Sequence, residues 1–228
     1  MPSPVSTFKY IGRGNQNTLV LVPGWASDQK IFQSLNLNFN YLIPLVFSFS
    51  DFAQKLLEAI KNKGLEKISL LGWSLGAFLA ADFSLKLPEL IDELILIGVR
   101  PKYLPEELSQ ARILLKRDKT AYLYKFYSRC FFRPEKLAWF KKNLMKTYFT
   151  DFELEFLLSG LDYLETAVLN LEGLKRLGKI KIIQGQNDEI APTAEARAVK
   201  QNLPQAELIL VENSGHAVFL EADIEKYI

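Results

Sequence analysis

The 228-residue sequence contains a single cysteine, Cys130, and a single histidine, His216. A lone thiol excludes an intrachain disulfide, and one residue of each kind excludes a zinc centre built from cysteine and histidine. No uninterrupted apolar run reaches about 18 residues, so a membrane-spanning helix is not expected. The start, Met1-Pro2-Ser3-Pro4-Val5-Ser6, lacks the basic residues and apolar run of a secretory signal. With the unpaired thiol, this leads us to expect a protein of the reducing cytoplasm. An excess of one charge is also lacking overall, the formal net charge being only +2. No low-complexity tract and no internal repeat interrupts the chain. What is present is an ordinary globular composition, 49% hydrophobic and 24% charged, long enough for one sizeable core.

Short apolar runs alternate with helical patterns. Thr18 to Val22, Tyr41 to Phe47, Lys67 to Leu71, Leu94 to Ile97, Ile180 to Ile183 and Glu207 to Val211 read as buried strands. Pro44 interrupts the second run, whose limits are therefore less defined than the others. Helical periods cover Asp51 to Lys63, Ser74 to Leu87 and Thr193 to Asn202, with a last helix from about Phe219. This order implies an α/β protein whose mostly parallel sheet is covered by helices on both faces. From Pro101 to Leu174 no strand pattern occurs. Helical periods dominate there between expected breaks at Pro105, Pro134 and Gly160. The expected division is therefore a core of residues 1–100 and 175–228, with 101–174 inserted as a helical lid.

Gly72-Trp73-Ser74-Leu75-Gly76 fits the pattern G-x-S-x-G between an expected strand and an expected helix. In that setting the pattern describes a sharp, strained turn that exposes the serine hydroxyl, and glycines are needed where a Cβ would strike backbone. Ser74 is thus a candidate nucleophile; the alternative is a serine that caps a helix.

His216 follows the last expected strand, in the kind of loop where open α/β sheets collect their sites. Imidazole as a group titrates near neutrality, which suits a general base. Asp188 follows the strand Ile180 to Ile183, in Gln184-Gly185-Gln186-Asn187-Asp188-Glu189. The chain order Ser, Asp, His is that of a nucleophile-elbow fold, and a carboxylate there would orient the imidazole. Glu189 is the rival carboxylate, and Asp188 is favoured by its place in the turn. Backbone N–H groups of Leu75 and Trp25 are candidates for an oxyanion hole. Trp25 and Trp73 are candidate pocket walls, with plain core packing as the alternative for each. Cys130 lies among aromatics and reads as a buried apolar residue.

These residues resemble the α/β-hydrolase superfamily across nearly the whole chain. Gly24-Trp25 with Gly72-Trp73-Ser74-Leu75-Gly76 resembles, within it, the BioH-type esterases that remove the methyl ester from pimeloyl methyl ester on acyl carrier protein. The resemblance implies Ser74, Asp188 and His216 as catalytic triad, Trp25 and Leu75 amides as oxyanion hole, and a four-helix-like lid. It implies no metal and no organic cofactor. Pro23 stands where the family often has histidine, and Ala77 where a third glycine is common.

Between Arg112 and Lys146 stand eleven basic residues and only two acidic ones, Asp118 and Glu135. Arg112 and Lys116 share one helix face, as do Lys125 and Arg129, and Arg133 follows. Such a surface attracts an acidic partner. With the resemblance, these five residues become candidates for substrate binding through an acidic acyl carrier protein, a solvated lid face being the plain alternative. No nucleic-acid motif accompanies the charge. Aromatics interleave the segment as lid core, and some could line an acyl tunnel. The expected activity is thus a serine carboxylesterase acting on a small acyl ester. A C–C hydrolase or lyase of the menaquinone-pathway type, or a non-catalytic carrier-protein binding module, are the other readings.

Overall fold

A sheet runs through the molecule because its central apolar segments can hide both faces only in the interior. The computed structural model describes residues 7–45 and 48–228. Met1 to Ser6, and Val46 with Phe47 at the end of the second expected strand, lie outside the described residues. The strands are β1 (Phe8–Ile11), β2 (Thr18–Val22), β3 (Asn40–Pro44), β4 (Ile68–Trp73), β5 (Ile91–Ile97), β6 (Ile180–Gly185) and β7 (Glu207–Val211). They form one seven-stranded sheet in the order β1-β3-β2-β4-β5-β6-β7. Only β1 is antiparallel to its neighbour; the other pairings are parallel. Every residue of β2 and of β4 is buried, so both faces of the sheet centre are covered. Pro44 is accommodated at the strand end, opposite Phe8 of the antiparallel edge strand.

Helix α1 (Phe52–Asn62) buries Phe52, Leu56 and Ile60 at four-residue spacing. Helix α2 (Leu75–Lys86) is buried almost all round and follows β4 directly. After β5 come α3 (Pro105–Arg117), α4 (Lys119–Arg129), α5 (Pro134–Phe140), α6 (Lys146–Asp151) and α7 (Leu154–Thr166). A π-turn, Lys141–Met145, joins α5 to α6 as one rod, so the insertion has four rods. The short α8 (Leu171–Leu174) packs on α2 and on α9 (Thr193–Asn202), and α10 (Val218–Glu221) closes the core. No helix among the described residues is long and apolar enough to cross a membrane.

Two expected breaks are helix starts instead. Pro105 and Pro134 occupy the first turns of α3 and α5, where a missing N–H costs nothing and the fixed φ suits a helix. Asp118 caps α4 by accepting from the Ala121 N–H at 2.9 Å. The third expected break, Gly160, lies inside α7. A Cβ there would come within 2.6 Å of the Trp25 ring, so the glycine makes room for the indole rather than ending a helix. Trp25 Nε1 donates to the Leu157 carbonyl on the same helix at 2.8 Å. One loop residue of the core thereby fixes where α7 sits.

The insertion has its own aromatic core. Tyr127 lies 5.1 Å from Phe140, Phe140 5.1 Å from Phe131, and Tyr148 5.1 Å from Phe152, measured between ring centroids. The Tyr127 hydroxyl donates to the Ala26 carbonyl at 2.7 Å, and the Tyr148 hydroxyl to Asp28 at 2.9 Å. These bonds tie α4 and α6 to the loop after β2.

Candidate active site

Ser74 sits between β4 and α2 with φ 55° and ψ −118°, a conformation that costs a side-chain-bearing residue about 1–3 kcal/mol. Its N–H donates to the Ile97 carbonyl at 2.8 Å, which binds the turn to the end of β5. At Gly72 a Cβ would collide with the carbonyl of Gly76, and at Gly76 with that of Val22. The glycines therefore let β4, α2 and the end of β2 meet at the serine. Leu75 opens α2, so its N–H has no acceptor within the helix. A Cβ on Gly24 would lie 3.2 Å from the Ser74 Cβ, which places the Gly24-Trp25 loop directly beside the serine.

His216 is fully buried, and its Nδ1 lies 2.7 Å from Asp188 Oδ2. Asp188 is itself immobilised. Its Oδ1 accepts from the Ile190 and Ala191 N–H groups, both at 2.8 Å, and its Oδ2 from Gln184 Nε2 at 2.7 Å. Glu189, the rival carboxylate, is exposed and faces Arg129 at 3.3 Å. The loops bearing the two residues are joined by the Asn187 N–H, which donates to the Ser214 carbonyl at 2.9 Å.

Two contacts carry the histidine to the serine. Trp73, immediately before Ser74, donates from Nε1 to the His216 carbonyl at 2.9 Å. Gly98, immediately after the Ile97 that holds Ser74, has φ +61° and lies under the imidazole; a Cβ there would approach Cε1 to 2.7 Å. The His216 Nε2 atom is buried with no hydrogen-bond partner among the described residues.

A cavity of about 410 Å³ adjoins Ser74, with Trp25, Leu108, Tyr122, Phe126 and Leu161 in its wall. Trp25 contacts Phe126 edge-on at 4.9 Å, and three insertion aromatics, Tyr103, Tyr122 and Phe126, line the cavity while Tyr127, Phe131 and Phe140 fill the insertion's interior. Trp73 is not in this wall. It is buried beside the His216 ring and Phe219, a packing and positioning place rather than a substrate wall.

The five basic candidates separate. Lys125 and Arg129 border the cavity, and Lys116 is exposed away from it. Arg112 is engaged by Asp162 at 2.8 Å and Glu165 at 2.6 Å, both on α7. Arg133 donates to the Asn213 carbonyl at 3.0 Å, beside the histidine loop. The basic segment is thus partly neutralised by a helix beyond its own end, which a count stopping at Lys146 does not include. Cys130 is buried, and burial pushes its thiol well above the usual range, so it is a neutral packing residue.

Three residues of the site carry no motif. The Tyr103 hydroxyl lies 3.4 Å from Ser74 Oγ, and burial pushes its phenol up to about 12. The buried Arg100 lies over the Tyr103 ring at 4.7 Å, and its charge is met by Glu107 at 3.0 Å and Glu195 at 3.4 Å. Glu221 accepts from the Phe132, Arg133 and Gly215 N–H groups at 2.8, 2.6 and 2.5 Å, clamping the α4–α5 junction to the histidine loop. Glu221 stands five residues after His216, and that short spacing was its one sequence signal. Among the described residues no group of three or more His, Cys, Asp or Glu is arranged to hold a metal ion.

A parallel sheet with the serine at a strand-to-helix turn, the acid after β6 and the histidine after β7 defines a class, and the α/β hydrolase fold family matches residues 27–223. The chain belongs to that family. It is 28% identical over 236 residues to the pimeloyl-[acyl-carrier protein] methyl ester esterase of Nitrosomonas europaea, covering 91% of each chain. The protein of that name from Wigglesworthia glossinidia brevipalpis is 27% identical over 245 residues, covering 93% of this chain and 91% of its own. An esterase from Exiguobacterium antarcticum superposes with a TM-score of 0.80 at 20% identity, over 96% of this chain and 91% of that one, a likeness of fold.

Proposed function

We propose that this chain is a serine carboxylesterase with Ser74 as nucleophile, His216 as base and Asp188 as the group that orients the base. The observation that carries this reading is the buried 2.7 Å bond between Asp188 and His216, set beside the strained Ser74 turn. Asp188, gripped by three further donors, keeps the hydrogen of His216 on Nδ1. Nε2 is then the basic nitrogen and takes the Ser74 proton as Oγ attacks the ester carbonyl. The oxyanion is held by the Trp25 and Leu75 N–H groups. The tetrahedral species collapses, the alcohol leaves with the proton from His216, and water repeats the sequence on the acyl-enzyme.

The preferred substrate in this reading is the methyl ester of a pimeloyl chain on acyl carrier protein, in biotin synthesis. The names of the relatives and the apolar cavity support it, with the helices of 101–174 acting as the lid over the sheet end. Lys125 and Arg129 at the cavity border, with Lys116 outside it, would meet the acidic carrier. Arg112 and Arg133, already engaged within the chain, would contribute less, as would Arg129 while it is held by Glu189.

Mass spectrometry of methyl pimeloyl carrier protein tests this directly. Loss of the mass of one methylene with the parent chain, and none with Ser74→Ala, is the expected result. An unchanged carrier, with a short p-nitrophenyl ester still cleaved, would retain the esterase and discard the carrier-linked substrate.

A further inference from the structure

We propose that Tyr103 is a further catalytic residue, its hydroxyl serving as a neutral hydrogen-bond group at the reacting serine. This rests on the esterase reading above. Four observations place it there. Its hydroxyl is 3.4 Å from Ser74 Oγ, and its ring borders the same cavity. The ring is held from two directions, by the Arg100 guanidinium 4.7 Å over its face and by Phe78 at 6.1 Å. Arg100 is in turn fixed by Glu107 of α3, by Glu195 of α9, and by the Ile190 carbonyl at 3.3 Å. Ile190 is also one of the residues whose N–H grips Asp188, so one set of contacts sets both the tyrosine and the acid.

The chemistry follows from a hydroxyl that keeps its proton. At rest the two hydroxyls share one hydrogen bond, in which either can be the donor. When His216 Nε2 takes the Ser74 hydrogen, the Oγ–carbon bond forms and the carbonyl π electrons move onto the oxyanion. The Tyr103 O–H is then free to donate to an oxygen on the tetrahedral carbon next to Oγ. On collapse the carbon–alkoxy bond breaks, and the alkoxide takes its proton from His216. Tyr103 begins and ends the cycle as the neutral phenol, so protons and electrons balance through the serine, the histidine and the ester alone. A phenol is neutral at neutral pH, and burial moves it further from ionising, because the phenolate would be poorly solvated there.

The test is Tyr103→Phe, which keeps the ring on Arg100 and Phe78 and removes only the oxygen. Kinetics on a p-nitrophenyl ester should show kcat falling by about tenfold, the effect of one ordinary hydrogen bond, with KM within about twofold of the parent. A ring that merely shapes the cavity would move KM instead. A fall in kcat of at least about fivefold supports the role; a smaller fall, or a change confined to KM, overturns it. A parent chain that cleaves no such ester and takes no fluorophosphonate on Ser74 would overturn the esterase reading and this inference together. A Tyr103→Phe variant matching an active parent would overturn the inference alone.

Discussion

His216 Nδ1 and Asp188 Oδ2 stand 2.7 Å apart with both side chains withdrawn from solvent. The carboxylate accepts three other hydrogen bonds, so it cannot turn away from the ring without leaving a buried donor unpaired. Asp188→Asn would place an amide N–H against one of these donors and favour the wrong imidazole tautomer. Activity on a p-nitrophenyl ester should fall on the order of 10³-fold or more, with substrate binding little changed. Steady-state kinetics on the purified variant checks this, and a fall below tenfold would contradict the orienting role.

Gly98 links the serine turn to the histidine through shape alone. An alanine there meets both a positive φ and the imidazole. The backbone strain alone should lower stability by about 1–2 kcal/mol. Displacing the ring should cost about a hundredfold in kcat. Urea unfolding separates the two effects from loss of fold, and a variant with parental kcat would show that the ring has room to move.

Glu221 joins the insertion to the histidine loop. Glu221→Ala leaves the buried Gly215 N–H and the part-buried Phe132 and Arg133 N–H groups without their acceptor, at about 1–3 kcal/mol each where water does not reach them. Burial pushes the folded carboxyl above its usual 4.5, against the pull of those donors. A raised carboxyl contributes its stability in full below 4.5, and that contribution is lost as pH rises through the folded value. Glu221→Gln does not titrate. Its stability relative to the parent should therefore increase from pH 4.5 toward neutrality in urea unfolding. A difference independent of pH would contradict the assignment.

Lys116 tests the docking surface without touching the cavity. Lys116→Glu should slow cleavage of the carrier-linked ester more than that of a free p-nitrophenyl ester, and added salt should shrink the difference. Equal effects on both substrates at low salt would remove the carrier from the account.

The core strands were legible because strands buried on both faces are contiguous apolar runs, and the places of Ser74, Asp188 and His216 followed from the strand ends they succeed. The helical segment 101–174 was less legible. Pro105, Pro134 and Gly160 punctuate the sequence alike, yet two begin helices and one lies within a helix against Trp25. Trp73 was separable from Trp25 only once the His216 carbonyl was seen to take its N–H. Arg112 read as an open charge because Asp162 and Glu165 lie some fifty residues further on. Tyr103 and Gly98 acquire meaning from the path of the chain after β5, which no local pattern specifies.

Intact-mass measurement of the folded chain after exposure to a fluorophosphonate, with peptide mapping, tests the central claim most directly. The account predicts one adduct per chain, on Ser74, forming far more slowly in the Asp188→Asn variant. No adduct, or an adduct on another residue with Ser74 unmodified, would contradict it.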